Sequence, residues 1–160
     1  MIGEWTAALE GTQVAVALRN SFWSYPLVNA AHIFGVALLI GSVVPLDLRL
    51  PGLWSSVPLL PLCAVLTRTA GIGLVVAMIF GALLFITRAT EYAASSLFIA
   101  KMILVFLGTA NALLGKPSRP EVSQIASNKW KPSRRLQVAA VISLAAWLSA
   151  LTLGRLVGYF

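Results

Sequence analysis

The chain has 160 residues, 59% of them hydrophobic and 11% charged, with a mean hydropathy of +0.88. A soluble domain carries roughly 25% charged residues and about 45–50% apolar ones, so the composition excludes a disordered chain and a disulfide scaffold and argues against a soluble enzyme. The formal charge is +7, but six of the cations (Lys116, Arg119, Lys129, Lys131, Arg134 and Arg135) lie between two apolar segments with Glu121 as the one acid, which marks a cytoplasmic loop by the positive-inside rule rather than a nucleic-acid surface.

Residues 4–20 mix Trp5, Ala8, Leu9, Val16 and Leu18 with Glu4, Glu10, Gln13 and Arg19. The segment is too polar to span and reads as an amphipathic helix lying in the membrane interface, with Trp5, Phe22, Trp23 and Tyr25 as an aromatic belt. Glu4 and Glu10 stand where a signal peptide would carry basic residues, so no cleavage is expected and Met1 is expected to be the true start. Residues 24–46 form the first span, with Pro26 in its first turn and Pro45, Asp47 and Arg49 at its end. Pro51-Gly52 and Pro58 punctuate a short loop.

Residues 59–88 are long for one crossing. Leu59–Thr67 is expected to be an approach helix at the interface, followed by a second span at about 70–88. Arg68 and Arg88 are then some 20 residues apart, about 30 Å at 1.5 Å per residue, which matches the hydrocarbon thickness. Gly71, Leu74, Met78, Gly81, Phe85 and Arg88 share one face, where small residues allow close helix contact. A short loop, Ala89–Ser96, holds Glu91 and Tyr92. The third span covers about 97–114 and contains Lys101. Residues 115–135 form the basic loop, broken by Pro117, Pro120 and Pro132, and the fourth span covers about 136–160, with Arg155, Tyr159 and Phe160 near its end.

The expected protein is thus a single all-α polytopic membrane domain, with four transmembrane helices and an N-terminal interfacial helix. The location expected is a bacterial inner membrane, with both termini periplasmic and the 115–135 loop cytoplasmic. Cys63 is the one cysteine and reads as a small packing residue.

Ionisable groups within a bilayer are costly, so each calls for a partner or a role. His32, the one histidine, lies about eight residues into the first span, and Lys101 a few residues into the third from the same side. At ~1.5 Å per residue both fall roughly 6–12 Å below the outer surface. Asn29 is one turn from His32, Gly35 lies one turn further on, and Arg88, Glu91, Tyr25 and Arg155 ring the same end. Gly35 clears space for a flat cofactor or for a crossing helix. The plain readings are a snorkelling Lys101, an interfacial Arg88–Glu91 ion pair, and a His32 hydrogen-bonded to Asn29 or to backbone. Asp47, Arg49 and Arg68 are expected to pair as a structural lock. The chain lacks a second histidine, a zinc ligand set, a methionine cluster, a phosphate-binding loop and a dinucleotide fingerprint.

The strings YPLVNAAHIFGVALLIGSVVPLDLRL, ATEYAASSLFIAKMILVFLGTANALL and AAWLSALTLGRLVGYF resemble an uncharacterised family of small bacterial four-span membrane proteins, a likeness that implies fold and topology. More remotely, the span-one histidine and the Phe98-to-Lys101 start of span three are similar to HemJ-type protoporphyrinogen oxidases and to the membrane domain of CopD-type copper-resistance proteins. The HemJ-like resemblance implies a haem site at His32 and Lys101. The chain departs from both in lacking their further histidines.

The reading that follows is a redox or electron-transfer subunit binding haem b, with His32 as the metal ligand. Lys101, Met102, water or the His32 of a second copy would be the other axial ligand, and Asn29, Gly35 and Arg88 would surround the site. A non-catalytic accessory subunit of a larger membrane complex is the alternative, and transport of a small solute or copper a third. The partners expected are the lipid bilayer and other membrane subunits or a homo-oligomer, with no nucleic acid.

Overall fold

A computed structural model describes residues 2–54, 56–115 and 133–159. Among these the chain forms seven α-helices and no strand: α1 (Ile2–Glu10), α2 (Gln13–Asn20), α3 (Ser24–Arg49), α4 (Leu59–Thr87), α5 (Ala89–Ala94), α6 (Ser96–Leu114) and α7 (Arg134–Leu156). Helices α3, α4, α6 and α7 are long and apolar enough to cross a membrane. The protein is an all-α polytopic membrane protein. Lys116, Arg119, Glu121, Lys129 and Lys131, with the three prolines of the expected basic loop, lie outside the described residues.

Burial runs opposite to that of a water-soluble bundle. Ile33, Phe34, Ile72, Ile79, Phe106 and Leu113 each turn more than half their surface outward. The buried set is dominated by small residues, among them Ala77, Ala140, Ala146, Ala150, Ser42 and Ser143. This is the pattern expected where lipid is the solvent, because large apolar side chains gain little by leaving it and small ones let backbones approach.

The four spans lie in the packing order α4, α3, α7, α6. Helix α3 packs on α4 along one side and on α7 along the other, and α6 packs on α7. Helices α4 and α6 make no close backbone approach to each other. The α3–α4 contact is the tightest. A Cβ at Gly35 would meet the Ala77 nitrogen at 2.5 Å and the Gly73 oxygen at 2.9 Å, and a Cβ at Gly73 would meet the Leu39 nitrogen at 2.6 Å. The α6–α7 contact is built on Gly108, whose missing side chain admits the Trp147 indole; a Cβ there would lie 2.8 Å from Trp147 Cε2. Nearby, Asn111 Nδ2 donates to the Ala139 oxygen at 2.9 Å.

Several expected boundaries move. The face that α4 presents to α3 is Gly73, Ala77 and Gly81, at i, i+4 and i+8, rather than the face begun by Gly71. Gly71 has open space around its Cβ position, and Met78 is 60% exposed. Helix α4 runs unbroken for 29 residues, about 43 Å at 1.5 Å per residue, so Leu59–Thr67 is its first part and no separate approach helix forms. Pro61 falls in its first turn, where a proline is tolerated. Arg68 and Thr69 do not interrupt the helix; Thr69 Oγ1 is satisfied within it by donating to the Val65 oxygen at 3.0 Å. Helix α3 continues past Pro45 to Arg49, and α7 ends at Leu156, with 157–159 in a turn. The expected 89–96 loop contains the short helix α5, and Ser95 Oγ caps α6 by accepting from the Phe98 nitrogen at 3.3 Å.

The expected interfacial helix over 4–20 is two helices. Gly11 and Thr12 divide them, and Thr12 Oγ1 caps α2 by accepting from the Ala15 nitrogen. The pair docks on α4 and α5, with Thr6, Ala15 and Leu18 buried. Arg19 holds the joint: Nη1 donates to the Thr87 oxygen at the end of α4 (3.1 Å) and Nη2 to the Glu10 oxygen at the end of α1 (2.7 Å). Both acceptors are carbonyls that their helices leave without a partner. Glu10 Oε1 in turn accepts from the Thr90 nitrogen in the first turn of α5 at 2.7 Å. That bond, with the charge of Arg19, holds the Glu10 carboxyl below its ordinary value of 4.5. Trp5, Phe22 and Trp23 remain outward, where an aromatic belt meets headgroups. At the opposite end, Arg135 Nη2 caps α6 through the Leu114 oxygen at 2.8 Å.

The Asp47–Arg49–Arg68 lock does not form. Arg49 donates from Nε and Nη2 to the Val57 oxygen at 3.3 and 2.9 Å, Arg68 is exposed, and Asp47 is met by the Ser143 hydroxyl of α7.

Two outcomes follow from this packing. Gly73→Ala should destabilise the protein by about 1–3 kcal/mol, the usual cost of overpacking, while Gly71→Ala should leave thermal unfolding in detergent unchanged. Because the folded Glu10 has a lowered pKa, its contribution is complete above the ordinary carboxylate value of 4.5 and is lost as pH falls through the folded value. Proteolysis of the α1–α2 segment should therefore rise on acidification in the wild type, and Glu10→Gln should remove that dependence.

Candidate functional site

His32 projects from α3 onto α4, where Gly81 makes room for the ring. A Cβ at Gly81 would lie 3.0 Å from His32 Cε1 and 3.1 Å from Nδ1. His32 Nδ1 stands 2.8 Å from the Ala77 oxygen. A carbonyl can only accept, so in the neutral ring the proton is on Nδ1 and the lone pair on Nε2. Among the described residues no hydrogen bond engages Nε2, so the nitrogen that could bind a metal or accept a proton is the one left free.

Lys101 projects from α6 onto α7. Gly154 gives it passage: a Cβ there would lie 3.3 Å from Lys101 Cε and 3.4 Å from Nζ. The residue is half-buried. The two side chains come from helices that do not pack on each other.

An aromatic layer borders this pair. Phe85 lies one turn past Gly81 on α4, and Phe98 one turn before Lys101 on α6. Their rings stack at 5.4 Å between centroids, and Tyr92 of α5 stacks on Phe98 at 5.3 Å and on Phe85 at 6.3 Å. The three rings bridge α4 and α6 at the end of the bundle that carries α1 and α2, across the gap their backbones leave. Burial, with the Tyr25 phenol beside it, raises the Tyr92 hydroxyl above its ordinary range.

The other expected site residues are placed differently. Gly35 is filled by the backbone of α4, so the space it clears goes to the crossing helix and not to a flat ligand. Asn29 is exposed, and the Ala77 carbonyl is the partner of His32 instead. Met102 is 46% exposed. Arg88 is exposed and pairs with Glu91 at 3.3 Å. Arg155 donates to the Tyr159 hydroxyl at 2.7 Å and lies 4.8 Å from that ring's centroid. Of the cations ringing this end, Arg88 and Arg155 are therefore engaged locally. Gly81, Gly154 and the Phe85–Tyr92–Phe98 layer belong to the site although sequence reasoning did not assign them to it. The Gly73, Ala77, Gly81 spacing was the available signal for the first. Among the described residues no three His, Cys, Asp or Glu side chains gather as a metal-binding group.

Compared with protein-family models, with curated proteins and with solved structures, the chain matches none.

Because His32 is the sole histidine, nitrogen-15 labelling of histidine reports on it alone. At alkaline pH the spectrum should show a protonated Nδ1 and an unprotonated Nε2. Equal populations of the two tautomers would contradict the bond to Ala77.

Proposed function

We propose that the protein is a bacterial inner-membrane electron-transfer subunit that binds haem b through His32. Both termini are periplasmic in this reading, and the 115–135 loop is cytoplasmic. The observation that carries it is the Nδ1 hydrogen bond to Ala77, which leaves the Nε2 lone pair free inside a transmembrane segment. Metal-bound histidines commonly donate their second nitrogen to a carbonyl or carboxylate in this way, and that bond fixes ring orientation and raises basicity. One imidazole makes a poor site for a bare ion, whereas a tetrapyrrole brings four nitrogens of its own and needs from the protein one axial ligand or two.

The neighbouring residues suit such a ligand. Lys101 offers a cation to a propionate carboxylate. The backbones of α4 and α6 stay apart, and the Phe85, Tyr92 and Phe98 rings that stack between them would limit water at the near end of a flat apolar ligand held there. When bound, haem supplies one-electron chemistry; His32 orients it and Lys101 sets the local charge. Beside His32, Lys101 or the His32 of a second copy would help to hold the haem. Met102, being outward, would serve only a neighbouring molecule. The orientation is supported by Arg49, Arg68, Arg134 and Arg135 at one end, against Arg19, Arg88 and Arg155 offset by Glu4, Glu10 and Glu91 at the other.

The test is the optical spectrum of the detergent-purified protein, as isolated and after haemin titration. The wild type should show a Soret band that His32→Ala abolishes. Lys101→Gln should retain the band with roughly tenfold weaker haemin affinity, as expected from one charged hydrogen bond. A wild type that acquires no band, or a His32→Ala protein indistinguishable from it, would favour the accessory-subunit reading, in which the α4–α6 side receives a partner's helix.

A further inference from the structure

Asp47 lies at the other end of α3 from His32. It is 7% exposed, and Ser143 of α7, itself 5% exposed, brings its hydroxyl to the carboxyl group. The second oxygen, Oδ2, is buried without a hydrogen-bond partner. Among the described residues, the charged groups on the surrounding elements are turned elsewhere. Arg49 on the same helix donates to the Val57 oxygen. Arg68 on α4 and Arg134 on α7 are exposed, and Arg135 donates to the Leu114 oxygen. Cys63 on α4 is half-buried and supplies no positive charge.

A carboxylate in this place would hold a full charge out of water with one hydroxyl for company and, among the described residues, no cation, an arrangement whose desolvation one hydrogen bond does not offset. A carboxylic acid would not. Its two oxygens need less, and the remaining unpaired lone pair is a neutral group. Ionisable residues kept in a transmembrane helix at such cost mark proton or ion sites more often than packing. We propose that Asp47 is a reversible proton-binding site in the α3–α7 interface, exchanging its proton with the solvent beyond the end of α3. Two residues separate it from that end, about 3 Å of helix rise, so the path is short. The site stands whether or not His32 binds a ligand.

Asp47 is the chain's sole aspartate, so carboxyl carbon-13 aspartate labels it alone and no substitution is needed to assign it. Infrared spectra of the full chain in lipid vesicles at about pH 5, where an ordinary aspartate is ionised, should show a protonated-acid carbonyl stretch that shifts with the carbon label and again in deuterated water. Raising the pH should convert it reversibly to a carboxylate band. Ser143→Ala should keep the acid band and move its frequency, Trp147→Phe should leave it in place, and Asp47→Asn should lack it. A labelled carboxylate band at about pH 5, the state of an ordinary aspartate, would overturn the proposal. So would an acid band that neither exchanges in deuterated water nor titrates, since that is a fixed structural acid.

Discussion

Helices surrounded by hydrocarbon gain almost nothing by hiding leucine from it, so something other than apolar burial must hold α3 against α4. Here it is the direct approach of two backbones at Gly35, Gly73 and Ala77, so close that one added carbon on either glycine would fall within 2.6 Å of a main-chain nitrogen. Dispersion between closely fitted surfaces supplies the attraction, and small residues are the condition for it. The rest of the architecture depends on that contact. Helix α3, like α7, is flanked by a span on each side, and its face toward α4 carries His32 while its buried inner end carries Asp47. Both unusual side chains are positioned by the same helix, whose own position is set by the glycine crossing.

The ends of the bundle use different physics. Near headgroups water is available, and polar side chains complete the helix termini. Arg19 joins the ends of α1 and α4, Glu10 meets the start of α5, and Arg135 closes α6. These groups sit where a charge costs little and a main-chain carbonyl or N–H lacks a helical partner. The result is an N-terminal pair of helices tied to the bundle rather than one helix floating on the bilayer. Three stacked rings serve the same end by bridging the gap between α4 and α6.

Hydropathy made the four crossings readable from the chain, because runs of some twenty apolar residues are dictated by bilayer thickness and owe little to tertiary context. The packing faces were less readable. In a span that is apolar all round, periodicity of hydrophobicity selects no face, and the spacing that begins at Gly71 does not point to the Gly73, Ala77 and Gly81 face that packs. Boundaries were misjudged where polarity was taken for an interruption, as at Arg68, or where a turn was expected of a six-residue helix at Ala89–Ala94. Ser42 and Ser143 gave no sign of their burial, and nothing in sequence spacing tells that Arg49 bonds the Val57 carbonyl rather than Asp47. The depth of His32 and Lys101 could be counted along the chain. Their neighbours could not, because Gly81 and Gly154 matter only for the side chains they fail to carry.

The Ala77 carbonyl has a consequence of its own. It belongs to α4 at the very residue that presses on Gly35, and it is also the acceptor that fixes the imidazole. Sliding α4 along α3 by a fraction of a helical turn would therefore withdraw the acceptor, free the ring to rotate or change tautomer, and alter the basicity of Nε2 in one movement. Mechanical strain on this pair of helices, from bilayer thinning or from a neighbour leaning on α4, would be transduced into the chemistry of a single nitrogen.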